Sequence, residues 1–108
     1  MELTLLTVPD CPNAAIFEER LAAALADRPG VVVRRREIAD ELAAAEAGMC
    51  GSPTLLVNGM DPFGVPGQAP ELSCRLYWDA TGQPAGAPPV EALRRALEQA
   101  GAHGQPGS

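Results

Sequence analysis

The sequence contains no lysine, one histidine and only three cysteines among 108 residues. All eight cationic side chains are arginine, and alanine, glycine and proline are abundant. This pattern indicates a genome-wide composition bias, so the alanine-rich stretches carry little functional information. Three cysteines are too few for a disulfide framework, which favours a reducing compartment over secretion.

Positive charge and long apolar runs are also scarce. The net charge of −6 makes nucleic acid or an anionic membrane an unsuitable partner. No segment approaches the ~18 apolar residues of a membrane span, and the N-terminal segment lacks the features of a signal peptide. We therefore expect one cytoplasmic domain at residues 1–100, a disordered tail at residues 101–108, and no cofactor.

Apolar periodicity and chain breakers predict the element order β-α-β-α-β-β-α. The predicted strands are residues 2–8, 31–36, 54–57 and 72–78, and the predicted helices are residues 13–25, 38–47 and a last one that starts after Pro88-Pro89. Right-handed crossovers would make the first three strands parallel, with the fourth antiparallel. The sequence thus predicts an α/β fold: a four-stranded mixed sheet with helices on both faces.

Cys11 is the residue that points most directly to chemistry. It follows the first strand, in Val8-Pro9-Asp10-Cys11-Pro12-Asn13, where turn-forming residues disfavour a core position. The N-terminus of a helix favours the thiolate, which attacks disulfides and binds soft metals. We expect an exposed, nucleophilic thiol, and a small buried apolar cysteine is the alternative.

The element order and two motifs resemble the thioredoxin fold over about residues 2–100. In that family a Cys-x-x-Cys lies between the first strand and first helix, and Cys11-Pro12-Asn13-Ala14 occupies this place. The family also has a cis-proline before the third strand, facing the thiol, and Gly51-Ser52-Pro53-Thr54 matches that motif. The resemblance implies thiol–disulfide exchange through Cys11.

The resemblance also implies a substrate groove formed by Pro12, Ser52 and Pro53, where backbone groups of Ser52 would pair with an extended peptide or glutathione. Ala14 replaces the family's second cysteine and cannot release a mixed disulfide. The second thiol would come from an external molecule such as glutathione, or from Cys50 or Cys74. The sequence leaves these choices open, and it leaves open whether the substrate is a small thiol compound or a protein.

The chain is also similar to small bacterial proteins labelled alkylmercury-lyase-like, through residues 8–13, 51–54 and 73–77. Organomercurial lyases use two cysteines and an aspartate, which Cys11, Cys50 or Cys74, and Asp10 would imitate. The extra N-terminal domain and the Cys-x-x-Asp spacing of those lyases are missing. Soft-metal binding by thiolates therefore remains one alternative, and a non-catalytic adaptor, suggested by Ala14, is another.

Overall fold

A computed structural model describes residues 1–64 and 69–103, with the side chains of Cys74 and residues 101–103 outside that description. The fold is mixed α/β. Its elements in chain order are β1 (Leu3–Thr7), α1 (Ala14–Ala24), β2 (Val33–Glu37), α2 (Glu41–Ala47), β3 (Cys50–Ser52), β4 (Thr54–Val57), β5 (Glu71–Cys74), β6 (Tyr77–Trp78), β7 (Pro84–Ala85) and α3 (Val90–His103).

The central sheet has the strand order β2-β1-β4. Strand β1 is parallel to β2 and antiparallel to β4. The prediction that the first three strands are parallel is therefore wrong for β4. Strand β4 begins beside Leu6, at the same end of the sheet at which β2 finishes, because α2 and the short β3 keep the chain at that end.

The predicted fourth strand is divided in two. Strand β5 pairs in parallel with β3, and β6 pairs antiparallel with β7. Among the described residues neither joins the central sheet, so the expected four-stranded sheet is replaced by one three-stranded and two small sheets. Gly51 makes the β3–β5 contact possible, because its φ is +104° and a Cβ there would lie 2.9 Å from the Cβ of Arg75.

Helices pack on both faces of the central sheet, as the alternation along β1 requires. Leu3 and Leu5 belong to one core cluster, which contains side chains of α1, α3 and β4. Leu6 points the other way, into a second cluster with Ile38, Ala44 and Met49 around α2. Strand β2 is the exposed edge and carries the three consecutive arginines, as predicted.

The C-terminal boundary differs from the prediction. Helix α3 continues to His103, so its backbone includes the first three residues of the expected disordered tail. Residues 104–108 lie outside the described part of the chain, as do residues 65–68 of the predicted loop at 61–70. In the described ranges no helix has both the length and the apolar character needed to cross a membrane.

Candidate functional site

Cys11 lies in the turn between β1 and α1, and only 8% of its surface is exposed. Its N–H donates to the carbonyl of Val8 at 3.3 Å, and the Ala14 N–H donates to the Cys11 carbonyl at 3.3 Å. Asp10 has a left-handed backbone with φ +58°, which tightens the turn. The expected exposure of the thiol is therefore wrong: the turn directs Cys11 inward, while Pro12 and Asp10 are exposed.

The buried side of Cys11 faces Ser52. The Ser52 hydroxyl donates to the Cys11 Sγ at 3.0 Å and accepts the N–H of Val8 at 3.0 Å. A serine hydroxyl has one proton and two lone pairs, so accepting from Val8 leaves its proton available for the sulfur. Ser52 is itself fully buried, at the end of β3. The motifs at Cys11 and Ser52 thus meet in one site.

Three successive carbonyl groups around Ser52 accept hydrogen bonds from inside the protein. The Ser52–Pro53 peptide bond is cis. The carbonyl of Ser52 accepts the Arg75 N–H at 2.9 Å, and the carbonyl of Pro53 accepts the Tyr77 hydroxyl at 2.5 Å. The Thr54 hydroxyl donates to the Gly51 carbonyl at 2.6 Å. Ser52 therefore contributes a hydroxyl to the site, whereas its carbonyl, one of the backbone groups expected to pair with substrate, already accepts from Arg75.

A buried arginine beneath this turn was not recognised as a site residue from the sequence. The Arg75 guanidinium is paired with the Asp61 carboxylate at 2.6 Å and donates to the carbonyl of Phe63 at 2.6 Å. It also approaches the Thr54 hydroxyl at 3.3 Å and lies 4.9 Å from the centre of the Tyr77 ring. An arginine inside an otherwise apolar strand pattern was the available signal, because a buried arginine requires a partner.

Tyr77 packs between Phe17 and Phe63 in two edge-to-face contacts, with ring centres 5.6 and 5.7 Å apart. Burial raises the pKa of its phenol well above the ordinary value. The positive charge of Arg75 opposes this increase, whereas Asp61 and the thiols at positions 11 and 50 add to it. The phenol therefore remains a neutral hydrogen-bond donor, within electrostatic reach of both described thiols.

The other two cysteines are not placed equally. Cys50 is half-buried, and its thiol lies 3.9 Å from the carbonyl of Gly48. Both Cys11 and Cys50 are free thiols. The backbone of Cys74 lies opposite Ser52 in the parallel register of β3 and β5, and its side chain lies outside the described structure.

The described part of the chain contains no cluster of three or more histidine, cysteine, aspartate or glutamate side chains suited to a metal ion. No protein family model, no curated protein and no solved structure matches this chain. The functional assignment consequently depends on the geometry of the site.

Proposed function

We propose that this protein is a small thioredoxin-like thiol protein that exchanges disulfides through Cys11 without a resolving cysteine in the same turn. The hydrogen bond from the Ser52 hydroxyl to the Cys11 sulfur, at 3.0 Å, is the observation that supports this most strongly. A donor directed at sulfur stabilises negative charge there, and the thiolate is the nucleophile in disulfide exchange. A cysteine that only filled the core would not need such a donor.

The proposed reaction has two displacements. The Cys11 thiolate attacks one sulfur of a substrate disulfide, a new S–S bond forms, and the other half leaves as a thiolate that takes a proton from water. An external thiolate then attacks the substrate sulfur of the mixed disulfide and releases Cys11. One disulfide and one thiol enter and one disulfide and one thiol leave, so no other oxidant or reductant is consumed.

The geometry of the opening favours a small substrate. Cys11 is 8% exposed, with Pro12 on the surface beside it and Pro53 buried beneath. A disulfide within a folded protein surface would have to approach a sulfur recessed in this turn. A flexible, low-molecular-weight disulfide, such as a mixed disulfide of glutathione, reaches it with less rearrangement. Glutathione as the second thiol is consistent with Ala14 in the place of a resolving cysteine.

A glutathione-coupled reduction assay with a small mixed disulfide tests this function. Cys11→Ser should abolish turnover, because no other residue of that turn carries a thiol. Cys50→Ser and Cys74→Ser are matched controls and should retain turnover, since an external thiol resolves the intermediate. Full turnover in Cys11→Ser would refute the proposal. Stoichiometric binding of mercuric ion by two thiols, with no exchange activity in wild type, would instead support the soft-metal alternative.

A further inference from the structure

We infer that Tyr77 is a positioning residue for Cys11: its buried hydroxyl, together with the N–H of Arg75, holds the turn at residues 51–54 so that the Ser52 hydroxyl is directed at the Cys11 sulfur. This inference deepens the proposed function and rests on it, because it assigns Tyr77 and Arg75 to the activation of the same thiol.

Ser52 is anchored through two successive carbonyl groups. Its own carbonyl accepts from Arg75, and the next carbonyl, that of Pro53, accepts from Tyr77. The two donors lie close together in sequence, because Arg75 directly follows β5 and Tyr77 is the first residue of β6. The serine side chain has a single heavy-atom torsion, so the anchored backbone and the hydrogen bond from the Val8 N–H together fix the position of the hydroxyl oxygen.

Tyr77 is itself held rigidly by its neighbours. Its ring contacts Phe17 and Phe63 edge to face and lies under the Arg75 guanidinium. That guanidinium is in turn fixed by Asp61 and by the carbonyl of Phe63. The phenol therefore occupies one position relative to Pro53. Its raised pKa keeps the donor proton in place through the neutral pH range.

Removing the Tyr77 hydroxyl alone separates a positioning role from simple packing. Tyr77→Phe retains the ring, and so the aromatic contacts, but it leaves the buried carbonyl of Pro53 without its donor. An unpaired buried carbonyl is unfavourable, so the turn shifts to find another partner. The Ser52 hydroxyl moves with the turn, and its hydrogen bond to Cys11 weakens. A purely structural tyrosine would lower stability without acting through Ser52.

A double-mutant cycle on the full chain tests this distinction. The rate of Cys11 alkylation by iodoacetamide is followed by peptide mass spectrometry in wild type, Ser52→Ala, Tyr77→Phe and the double variant. Each single variant should slow Cys11 by about threefold to tenfold, the range expected for one hydrogen bond. The double variant should match Ser52→Ala alone, because Tyr77 acts through Ser52. The Cys50 rate is the internal control and should change little.

Several outcomes would overturn the inference. One is an unchanged Cys11 rate in Tyr77→Phe, and another is an equal slowing of Cys11 by Tyr77→Phe with and without the Ser52 hydroxyl. An unchanged rate in Ser52→Ala would overturn it as well, and would remove the main support for the proposed function. If the cycle behaves as expected but the exchange assay shows no turnover, only the proposed function fails.

A second measurement applies if Tyr77→Phe does not fold. Tyr77 is the only tyrosine, so fluorotyrosine incorporation changes this phenol alone. Its ionisation at lower pH is followed by tyrosinate absorbance, and the ratio of Cys11 to Cys50 alkylation is measured across the same titration. The ratio should fall as the phenol loses its proton. A ratio that stays constant through the titration would refute the positioning role.

Discussion

The two described thiols of this protein occupy contrasting environments. Cys11 is mostly buried, yet its sulfur receives a hydrogen bond from a hydroxyl that is itself fixed by a backbone N–H. Cys50 is more accessible, and its sulfur has a distant contact with the carbonyl of Gly48, with no hydroxyl donor among the described residues. Both stand within electrostatic reach of the same buried phenol, Tyr77.

This contrast shows that accessibility and activation are separate properties of a thiol. Reactivity requires a stabilised thiolate as well as a path for the reagent. Cys11 has the hydroxyl donor, whereas Cys50 is more accessible to a reagent. Single variants can change one of these properties at a time, and we expect the largest effect where Cys11 gains a partner thiol.

Ala14→Cys should give Cys11 a partner thiol within its own turn. Ala14 is the first residue of α1, and its N–H donates to the Cys11 carbonyl. The first and fourth residues of such a turn have Cα atoms less than about 7 Å apart, a separation that a disulfide can span. Mild oxidation should therefore form an 11–14 disulfide in nearly all molecules, seen by non-reducing peptide mapping.

The matched control for that substitution is Ala15→Cys, at the neighbouring exposed position. It adds the same thiol one residue further along the helix, pointing away from the turn. Free thiols in both oxidised variants, or equal bridging in both, would show that Cys11 is not oriented towards the start of α1.

Asp61→Asn should destabilise the buried Arg75, whose N–H holds the Ser52 carbonyl next to Cys11. It should not change the position of Cys50 in β3. The Asp61–Arg75 pair is 2.6 Å long, with side chains only 11% and 7% exposed. Removing one partner of a buried pair leaves the other charge uncompensated, so the free energy of unfolding should fall by about 3–5 kcal/mol. Urea unfolding followed by far-ultraviolet circular dichroism measures the change.

Glu18→Gln is the control for the loss of an ion pair as such. Glu18 pairs with Arg35 at 2.8 Å on the surface, where the side chains are 42% and 48% exposed. Exposed pairs contribute within about 1 kcal/mol, so this variant should remain close to wild type. Equal losses in the two variants would mean that the pair beneath the site has no special structural role.

Ser52→Ala should reduce the difference in activation between the two thiols. Without the hydroxyl donor, Cys11 alkylation should slow by about threefold to tenfold while the Cys50 rate is retained. The ratio of the two rates within one sample removes errors of concentration and pH. Ser73→Ala, which removes an exposed hydroxyl near Glu71, is the control and should leave the ratio unchanged. A ratio insensitive to Ser52→Ala would mean that its hydrogen bond does not activate Cys11.

Local pattern in the sequence predicted most of the elements around the site. Strand β4 occupies the predicted residues 54–57, and α1 lies within one residue of its predicted bounds at each end. These elements depend on short-range periodicity and turn residues, which one sequence contains. The proximity of the motifs at Cys11 and Ser52 was instead implied by the resemblance to the thioredoxin fold, and the two side chains are in contact.

The features that were missed depend on long-range contacts. The burial of Cys11 comes from a turn with a left-handed residue at Asp10, and nothing in local composition requires that geometry. The direction of β4 depends on where α2 and β3 return the chain. The role of Arg75 depends on Asp61, fourteen residues away. Such partners are fixed by tertiary packing, which overrides local propensity.

The Tyr77 phenol lies within electrostatic reach of both thiols, so its pKa should respond to changes at either one. Burial raises the Tyr77 pKa, so the folded state retains a proton that the unfolded chain releases near pH 10. The stability gained from a protonated phenol is therefore complete below pH 10 and declines as pH rises towards the folded pKa. Alkaline denaturation should begin at higher pH in Tyr77→Phe, after correction for its lower stability at neutral pH.

Cys11 and Cys50 both oppose ionisation of the phenol, Cys11 the more strongly, because a thiolate nearby disfavours a second negative charge. Cys11→Ser should accordingly lower the Tyr77 pKa slightly, and Cys50→Ser by less. Because Tyr77 is the only tyrosine, its titration is observed directly by absorbance below the onset of unfolding. If Cys50→Ser lowered the Tyr77 pKa more than Cys11→Ser does, Cys50 would be the thiol with the stronger influence on the phenol. The contrast between the two thiols would then be reversed.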